Sequence, residues 1–498
     1  MEFIKGEDRK QTVLFPDSIE DYIEENSAVR VIDAFINSLD LSELKFTRYE
    51  PNETGRPPYD PKDMLKLYVY GYMNRIRSSR RLETESKRNL EVIWLLQKLT
   101  PDHKTIANFR KDNKKALKSV FRSFSELCVK LDLYGKELAA VDGSKFKAVN
   151  SKERNFTKDK LKDRLERIGE KIEEYMAELE STDRNEDVVE QKKTAAEING
   201  IIKDLKDRKE TYRLMTEELE KTGETQISLT DPESRLMPMN GKMDVCYNVQ
   251  TAVDAKHKLI VDFEVTNNAN DINQLTPMAE KVMETLEMEK ITVTADKGYN
   301  SASDIAAATL MGVDVHVAGA DIQICIPTQE QETEHAEITS YENGKCVYLK
   351  DRNIALCPMG KVLYPQFYKE SKGEAVFQNS AACKQCACRC TKEARAFRYQ
   401  FVMKESEFTK EYRDEGLEVK QVRIKPKKEI VAQRKCIAEH PFGTIKRGMD
   451  AGYCLLKGKV KVTAEFSLIF LAYNIKRVIN ILGSKKLIDY ISNSAYHV

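Results

Sequence analysis

Apolar residues recur every three or four positions through the first part of the chain, and this period predicts amphipathic helices. Two short helices are expected within residues 19–39, an apolar helix within 64–72, and a buried helix at 90–96 before a break at Pro101. A basic helix then begins near Thr105. Helix, short turn and basic helix is the order of a helix-turn-helix, but a helical bundle whose charges face solvent explains the pattern equally well.

Residues 156–222 contain two long runs with the same helical period, separated by a polar break at 181–186. We expect an antiparallel hairpin of the coiled-coil type, because each run has an apolar seam. A dimerising helix pair would use the same apolar positions. The hairpin is favoured because the break is short and polar.

The middle of the chain changes to short β-branched runs, which predict strands. Strands are expected at 137–150, 247–254, 259–265, 291–296, 313–317 and 322–326, with helices at 271–287 and 302–311. This order of elements predicts a mixed sheet flanked by helices, with a final helix at 464–482 packed on its core. Asp254 is interpreted as a turn residue and Asp271 as a helix N-cap.

Charge refines this division of the chain. Charged residues make up 32% of the sequence, yet the formal net charge is only +1. Basic side chains outnumber acidic ones in residues 60–130 and 420–461, whereas 163–223 alternate in sign. The two basic stretches are suited to phosphate binding. A charged N-terminus and a longest apolar stretch of only 466–473 lead us to expect a cytoplasmic protein without a membrane partner.

Four cysteines lie within the short segment Cys383-Lys-Gln-Cys386-Ala-Cys388-Arg-Cys390. A C-x-x-C spacing allows two thiolates to bind one Zn²⁺. Cys357, in Cys357-Pro-Met-Gly, has the character of another knuckle, so Cys357, Cys383, Cys386 and Cys390 are the predicted ligands of a structural Zn²⁺. A set of free buried thiols is the alternative.

Two acids share one sequence context. Asp142 and Asp296 each follow an apolar β-branched run, and a glycine comes within two residues of each. Such an Asp is often only a turn-former, but the repeated context favours a function. With Glu439 supplied by a helix, carboxylates at neighbouring strand ends can hold two Mg²⁺ or Mn²⁺ ions. Pro441 and Gly443 follow Glu439, so this acid is expected at a kink or near a new helix start.

With these residues the chain resembles the DDE transposases of bacterial insertion sequences. The resemblance rests on Asp142-Gly-Ser, Asp296-Lys-Gly-Tyr and Glu439 followed seven positions on by Lys446, with further blocks at 55–64, 77–83, 101–111 and 439–447. It implies a ribonuclease-H-like core that cuts transposon ends and joins them to target DNA, and a homodimer or larger assembly on double-stranded DNA.

The resemblance has one departure just before Glu439. The wider group often has a Tyr and an Arg seven and four residues before the Glu, where this chain has Ala432 and Lys435. Arg434 stands beside Lys435, and we expect one of these two to keep the basic role. On an α-helix, Lys446 would lie two turns beyond Glu439 on the same face.

The predicted fold is therefore a mixed α/β ribonuclease-H-like core with two insertions. The segments are a helical DNA-binding region 1–130, core 131–155 and 223–326, a helical hairpin 156–222, a Cys-rich insertion 327–427 and a C-terminal part 428–498. The predicted DNA contacts are Arg80, Arg81, Lys104, Arg110, Arg434, Lys435 and Lys446. Two alternatives stay open: a metal-dependent nuclease on the same fold, and an inactive zinc-containing DNA-binding regulator, against which the intact acids argue.

Overall fold

The computed structural model describes residues 18–47, 57–184, 195–239, 241–327, 347–349, 354–356, 362–369, 374–379, 400–404 and 419–494. Helices and strands alternate through the middle of the chain, which confirms the predicted mixed α/β class. The contacts within the chain divide it into two compact units. One contains residues 1–124, 443–451 and 463–498, and the other contains residues 125–442 and 452–462.

The bounds of the described helices are as follows. They are α1 Ala28–Asn37, α2 Pro61–Met73, α3 Ser79–Arg88, α4 Leu90–Leu95, α5 His103–Asp112, α6 Lys114–Lys130, α7 Lys158–Arg184, α8 Ala195–Thr222, α9 Leu275–Leu286, α10 Ala302–Leu310, α11 Lys428–Gly443, α12 Lys459–Leu482 and α13 Ser484–Ser494. Within the described residues no single helix is long and apolar enough to cross a membrane, and α12 and α13 pass that test only as a pair bent by 107°.

The bounds of the described strands follow the same numbering. They are β1 Leu138–Lys147, β2 Asn155–Thr157, β3 Gln226–Ser228, β4 Arg235–Met239, β5 Lys242–Asp254, β6 Ile260–Thr266, β7 Ile291–Ala295, β8 Val313–Val317, β9 Ile322–Pro327, β10 Val347–Leu349, β11 Ile354–Leu356, β12 Val362–Lys369, β13 Glu374–Gln378, β14 Gln400–Lys404 and β15 Val419–Ile424.

The first unit is helical, and α2 is its most buried helix. Asp60 caps α2 by accepting the Lys62 N–H, and Pro61 occupies the first turn, where its missing donor costs nothing. Almost every later residue of α2 is buried, as expected for a helix surrounded by others. The aromatic ring of Phe35 packs edge-on against Phe124, with 5.0 Å between centroids.

The main sheet of the second unit has the strand order β4-β5-β1-β7-β8, and β6 also pairs with β5. Strand β5 is antiparallel to β1, β4 and β6, whereas β7 is parallel to both β1 and β8. The predicted hairpin is confirmed as β5 and β6. At its turn, the Asp254 carboxylate accepts the N–H groups of Gly135, Lys136 and Lys256 at 3.0, 3.2 and 2.9 Å, so its structural role is confirmed as well.

Helix α9 connects β6 to β7, and its N-terminus differs from the prediction. Asp271 is not the N-cap; Gln274 occupies that position without a side-chain cap. Asp304 of α10 instead accepts the N–H groups of Leu275 and Thr276 at 2.9 and 3.1 Å. A distant carboxylate thus satisfies the donors that a local one was expected to satisfy, and Asp271 is left for another use.

The two long helices α7 and α8 pack against each other beyond the sheet. Phe156, Leu161 and Ile227 form a small core with Met215 and Leu219. The start of α7 therefore meets the end of α8, which is the arrangement of the predicted antiparallel hairpin.

The predicted Cys-rich insertion contains an antiparallel sheet of order β10-β11-β12-β13-β14, and β15 pairs with β9. Cys357, Cys383, Cys386 and Cys390 lie outside the residues that the structure describes. The zinc site therefore stays a prediction from the sequence.

Candidate active site

Asp142 lies on β1, and Asp296 directly follows β7, the parallel strand beside β1. The last pair between β1 and β7 is Ala140 with Thr294. Asp142 lies two residues beyond Ala140, and Asp296 lies two residues beyond Thr294, so the register carries both acids to the same level. Neighbouring strands run about 4.8 Å apart. The sequence placed Asp142 at a strand end, but β1 continues to Lys147 because β5 still pairs with it there.

Asp296 also forms the turn that ends β7. Its Oδ1 accepts the Gly298 N–H at 2.7 Å and caps the short 3-10 helix Lys297–Tyr299. Asp296 is thus a turn-former as well as a predicted site residue. Tyr299 is fully buried, and its hydroxyl donates to Gln250 Oε1.

The carboxyl group of Asp142 carries an unusual charge environment. Burial is the main cause that raises its pKa to about 7; Arg434 opposes this, and the negative charges of Asp296 and Asp271 add to it. Arg434 Nη1 lies 3.5 Å from Asp142 Oδ2, and the Gly143 N–H donates to Oδ1 at 3.0 Å. Among the described residues, two further carboxylates and one guanidinium thus act on the Asp142 carboxyl group, so the negative charge is only partly balanced.

Asp271, which the sequence assigned to a helix N-cap, has a negative charge that acts on Asp142. Its Oδ1 accepts hydrogen bonds from Asn248 Nδ2 and Gln250 Nε2, both at 2.7 Å. The available signal was the pair of polar residues two apart in the otherwise apolar strand β5, since such residues share one face. Gln250 lies opposite Gly143 in the register, so Asn248 and Gln250 share the face of Gly143, whereas the Asp142 side chain projects from the other face of β1.

Glu439 lies on α11, and that helix differs from the prediction. α11 continues through Pro441 to Gly443, so Glu439 is inside a helix and not at a new helix start. The residues Thr444–Gly448 then form a π-helical segment. Its wider turn changes the angular step, so the two-turn register predicted for Lys446 is not kept.

The face of α11 that packs on the sheet presents Arg434 to Asp142. Ile437, Ala438, Pro441 and Phe442 are buried, and Phe442 packs on Phe146 of β1 with ring centroids 6.1 Å apart. At about 100° per residue, Arg434 shares this face, whereas Glu439 is turned roughly 140° away from Arg434 and is exposed. In the described part of the chain, no group of three Asp, Glu, His or Cys side chains is arranged to hold a metal ion.

The basic residues predicted to contact DNA divide into two groups. Arg80 and Arg81 on α3 and Lys104 on α5 are exposed, and the Glu83 carboxylate joins these helices by accepting the His103 N–H at 3.1 Å. Arg110 is buried, with 7% exposure.

The burial of Arg110 corrects its predicted role as a phosphate contact. Its Nη1 donates to the Tyr72 hydroxyl at 2.9 Å, and its guanidinium lies 5.2 Å from the centroid of the Tyr68 ring. Arg110 is thus a core residue of the helical unit. Arg434 is half-buried against Asp142, and Lys435 beside it is exposed.

Comparison with known proteins identifies the chain. A family model of the transposase DDE domain matches residues 225–475, half of the chain. The chain belongs to the DDE transposase family. It is therefore a transposase, an enzyme that acts on polynucleotides. The match includes Asp271, Asp296 and Glu439 and begins after Asp142.

Other comparisons add less. A second family model, described as a transposase domain (DUF772), matches residues 17–112 of this transposase. A search of curated proteins gives no match. The piggyBac transposase synaptic complex with hairpin DNA, solved by cryo-EM, is similar with 8% identity and a TM-score of 0.28 over 94% of this chain and 80% of that chain. A likeness this low carries no argument.

Proposed function

We propose that this transposase cleaves the ends of its element and joins them to target DNA by metal-dependent phosphoryl transfer. Asp142 and Asp296 would hold the metal ions. The observation that carries the proposal is the register of β1 and β7, which, continued by two residues, brings Asp142 level with Asp296 just after β7. The sheet has six strands: β5 pairs antiparallel with β1, β4 and β6, and β7 and β8 continue parallel to β1. These pairings support a ribonuclease-H-like core.

The donor set fits a hard divalent cation. Mg²⁺ and Mn²⁺ prefer carboxylate oxygens and retain coordinated water. Burial is the main cause that raises the pKa of Asp142, and the negative charges of Asp296 and Asp271 raise it further against the effect of Arg434. A bound cation would stabilise the charged form of this carboxylate. When bound, such ions stabilise the charge that develops on the attacking and leaving oxygens of a phosphodiester.

The basic side chains have separate tasks in this proposal. Arg434 holds a DNA phosphate beside the two acids, because a guanidinium matches phosphate geometry. Lys435 and Lys446 add phosphate contacts, and Arg80, Arg81 and Lys104 bind the terminal DNA through the helical unit. Glu439 completes the acidic site when DNA and metal are bound, which requires α11 to present another face to β1.

The test scores cleavage and joining separately. Full-length protein is incubated with double-stranded DNA carrying the element's terminal sequence, a target plasmid and Mg²⁺. We expect nicked ends and end-to-plasmid products, both of which disappear with EDTA. Cleavage without any joined product would contradict the joining step and favour a nuclease on the same fold. Activity unaffected by EDTA would contradict the metal dependence.

The assembly on DNA is part of the same proposal. We propose that two or more copies pair the two ends of the element. Light scattering of the complex with terminal DNA should give a mass of at least two chains. A complex whose mass corresponds to a single chain bound to DNA would contradict this.

The Cys-rich insertion is proposed to bind one structural Zn²⁺ through Cys357, Cys383, Cys386 and Cys390. Its support is the spacing of these residues in the sequence. Elemental analysis of protein purified without chelator should give about one zinc per chain, the stoichiometry of a closed four-ligand site. Folded protein without zinc, in which all four thiols react freely, would contradict the site.

A further inference from the structure

His316 of β8 lies in the row of the sheet that leads to Asp142. In the register, His316 pairs with Thr294 of β7, and Thr294 pairs with Ala140 of β1. The Thr294 hydroxyl also donates to the His316 carbonyl at 3.0 Å. Paired residues of parallel strands project from one face, and residues two apart along a strand share that face. The His316 side chain therefore projects from the face of the sheet that carries Asp142.

The imidazole ring of His316 is held on both sides. The residue is buried, with 3% exposure. The Lys427 backbone N–H donates to Nδ1 at 3.1 Å, and Nε2 lies 3.0 Å from Asp314 Oδ2. A backbone N–H can only donate, so Nδ1 carries no proton, whereas Nε2 carries the ring proton and donates to Asp314. One neutral tautomer of His316 thus serves both partners.

The contact with Lys427 lies where α11 begins. Lys427 directly precedes α11, and its carbonyl accepts the Val431 N–H at 3.1 Å. The N–H groups at the start of a helix have no partner inside the helix, so they need one from elsewhere. His316 supplies that partner from the sheet. The chain arrives at this point from β15, after the predicted Cys-rich insertion, so this contact determines where α11 starts on the sheet.

The same helix reaches Asp142 two turns later. Arg434 follows Lys427 by seven residues, which places both on one side of the helix with a rise of about 10.5 Å. Strand β7 separates β8 from β1, and two strand spacings span about 9.6 Å. A straight length of helix therefore extends from His316 to Asp142, where Arg434 Nη1 lies 3.5 Å from the carboxylate.

We infer that His316 is a positioning residue, which fixes the start of α11 through the Lys427 N–H and thereby places Arg434 beside Asp142. This inference rests on the proposed function, in which Arg434 holds a DNA phosphate next to the acids. A misplacement of about 1 Å at a reacting centre can reduce a rate about 100-fold. Loss of this contact should therefore slow cleavage, whereas the binding of DNA, to which many cations contribute, should change little.

The experiment compares three substitutions of His316 in full-length protein, with terminal DNA and Mg²⁺ both saturating. His316→Phe fills the volume of the ring and has no acceptor. His316→Asn places an oxygen near the position of Nδ1, where it accepts the Lys427 N–H, whereas the amide of His316→Gln reaches the position of Nε2 instead. We expect the cleavage rate constant to fall about 10–100-fold in the Phe and Gln variants and to stay within about threefold of wild type in the Asn variant.

Two controls accompany these rates. Asp314→Asn keeps an acceptor for Nε2 on the other side of the ring and should cleave as wild type does. The Kd for terminal DNA should stay within about twofold of wild type in all variants. A role in packing alone predicts the opposite order of rates, with His316→Phe faster than His316→Asn, and that order would overturn the inference. Wild-type rates in the folded Phe and Gln variants would overturn it equally.

Hydrogen exchange of the DNA-free protein gives a readout that does not depend on cleavage. In His316→Phe, the Lys427 amide should exchange about fivefold faster, the ratio that corresponds to one lost hydrogen bond, and in His316→Asn it should exchange as in wild type. Unchanged exchange in His316→Phe overturns the inference. If wild type shows no Mg²⁺-dependent cleavage, the proposed function fails, and the exchange rates still decide whether His316 holds the start of α11. Should His316→Phe not fold, His316→Gln replaces it in both measurements.

Discussion

Two arginine–carboxylate pairs in this protein differ in how completely their charges are balanced. In the helical unit, Arg77 Nη2 lies 2.7 Å from Glu465 Oε1, with the two side chains 5% and 0% exposed. Arg77 Nη1 also donates to the Asp450 carbonyl at 2.9 Å. The Arg110 guanidinium also acts on Glu465, so two cations lie near one anion here, and this closed pair leaves no negative charge in excess.

In the second unit, the balance of charge is different. Arg434 lies 3.5 Å from Asp142, with side-chain exposures of 17% and 16%, and Asp296 and Asp271 add negative charge nearby. The first pair stabilises a fold, whereas the second leaves an excess of negative charge that a cation can balance. Burial of a charge alone therefore does not mark a functional site. An excess of negative charge in a buried position, by contrast, marks a candidate site for a cation.

The largest effect is expected from removing the acids around Asp142, where negative charge is in excess; we call this the open site. Asp142→Asn, Asp296→Asn and Glu439→Gln should each reduce Mg²⁺-dependent cleavage to background, because each removes a charged metal ligand at nearly constant shape. DNA binding, measured by fluorescence anisotropy, should stay close to wild type.

The control for these variants is Asp244→Asn, which removes an acid of β5 outside the site. It should cleave as wild type does. Near-normal turnover in any of the three variants would remove that residue from the site. For Glu439 this outcome would mean that its exposed position persists when DNA is bound.

Breaking the closed pair should act on stability instead. Glu465→Gln leaves the buried Arg77 guanidinium without its counter-charge, and we expect a loss of about 3–5 kcal/mol in the free energy of unfolding. Chemical denaturation of the full-length variant and wild type, monitored by the helical signal, measures this change in the free energy of unfolding. The matched control Glu217→Gln breaks an exposed i,i+4 pair with Arg213 and should cost about 0.5 kcal/mol or less. Equal effects of the two variants would contradict the compensated-pair interpretation.

The open site should also make the metal-free protein sensitive to pH. The pKa of Asp142 is raised from 3.8 to about 7, with burial as the main cause. The folded protein therefore binds this proton more tightly than the unfolded chain does. The stability gained from it is present below pH 4 and is lost as pH rises through about 7.

Asp142→Asn removes this loss and should stabilise the metal-free protein at pH 8. The gain is at most about 4 kcal/mol, since each pKa unit corresponds to about 1.36 kcal/mol. Melting curves of both proteins in EDTA at pH 5 and pH 8 measure it. An equal or lower melting temperature of Asp142→Asn at pH 8, compared with wild type, would contradict the raised pKa of Asp142.

The smallest expected effects concern exposed cations. Arg80→Gln and Lys104→Gln should each weaken DNA binding about equally for all sequences and reduce the salt dependence by about one counterion. Arg110→Gln should instead lower the melting temperature of the helical unit, because its guanidinium binds Tyr72 inside the core. Anisotropy titrations at several salt concentrations, paired with melting curves, check both. If DNA affinity depends on salt concentration as strongly in the Arg80→Gln and Lys104→Gln variants as in wild type, the proposed phosphate contacts are contradicted.

The sequence was sufficient where the signal is local. β-branched runs located β1, β5, β6 and β7, and the repeated Asp-plus-Gly context located the two acids that the register aligns. Alternation of polar residues along β5 was visible as well, but its meaning depends on which strand lies opposite. Register between distant segments is set by the whole sheet, so no local pattern supplies it.

The errors have the same physical origin. Asp271 has the local features of an N-cap, but Asp304, more than thirty residues away, supplies that cap. Arg110 belongs to a basic helix, and only tertiary packing turns it toward Tyr68 and Tyr72. Pro441 ordinarily ends or begins a helix, but it lies on the buried face of α11, close to the helix end and just before the π-helical turn.

The central claim is that Asp142 and Asp296 are held side by side to bind a divalent ion. The most direct measurement is a crystal structure of the full chain grown with Mn²⁺, with anomalous diffraction used to locate the metal. We expect an anomalous peak from one Mn²⁺ ion that is coordinated by the carboxylates of Asp142 and Asp296. Mn²⁺ bound elsewhere, or no peak between these two side chains at a saturating concentration, would contradict it.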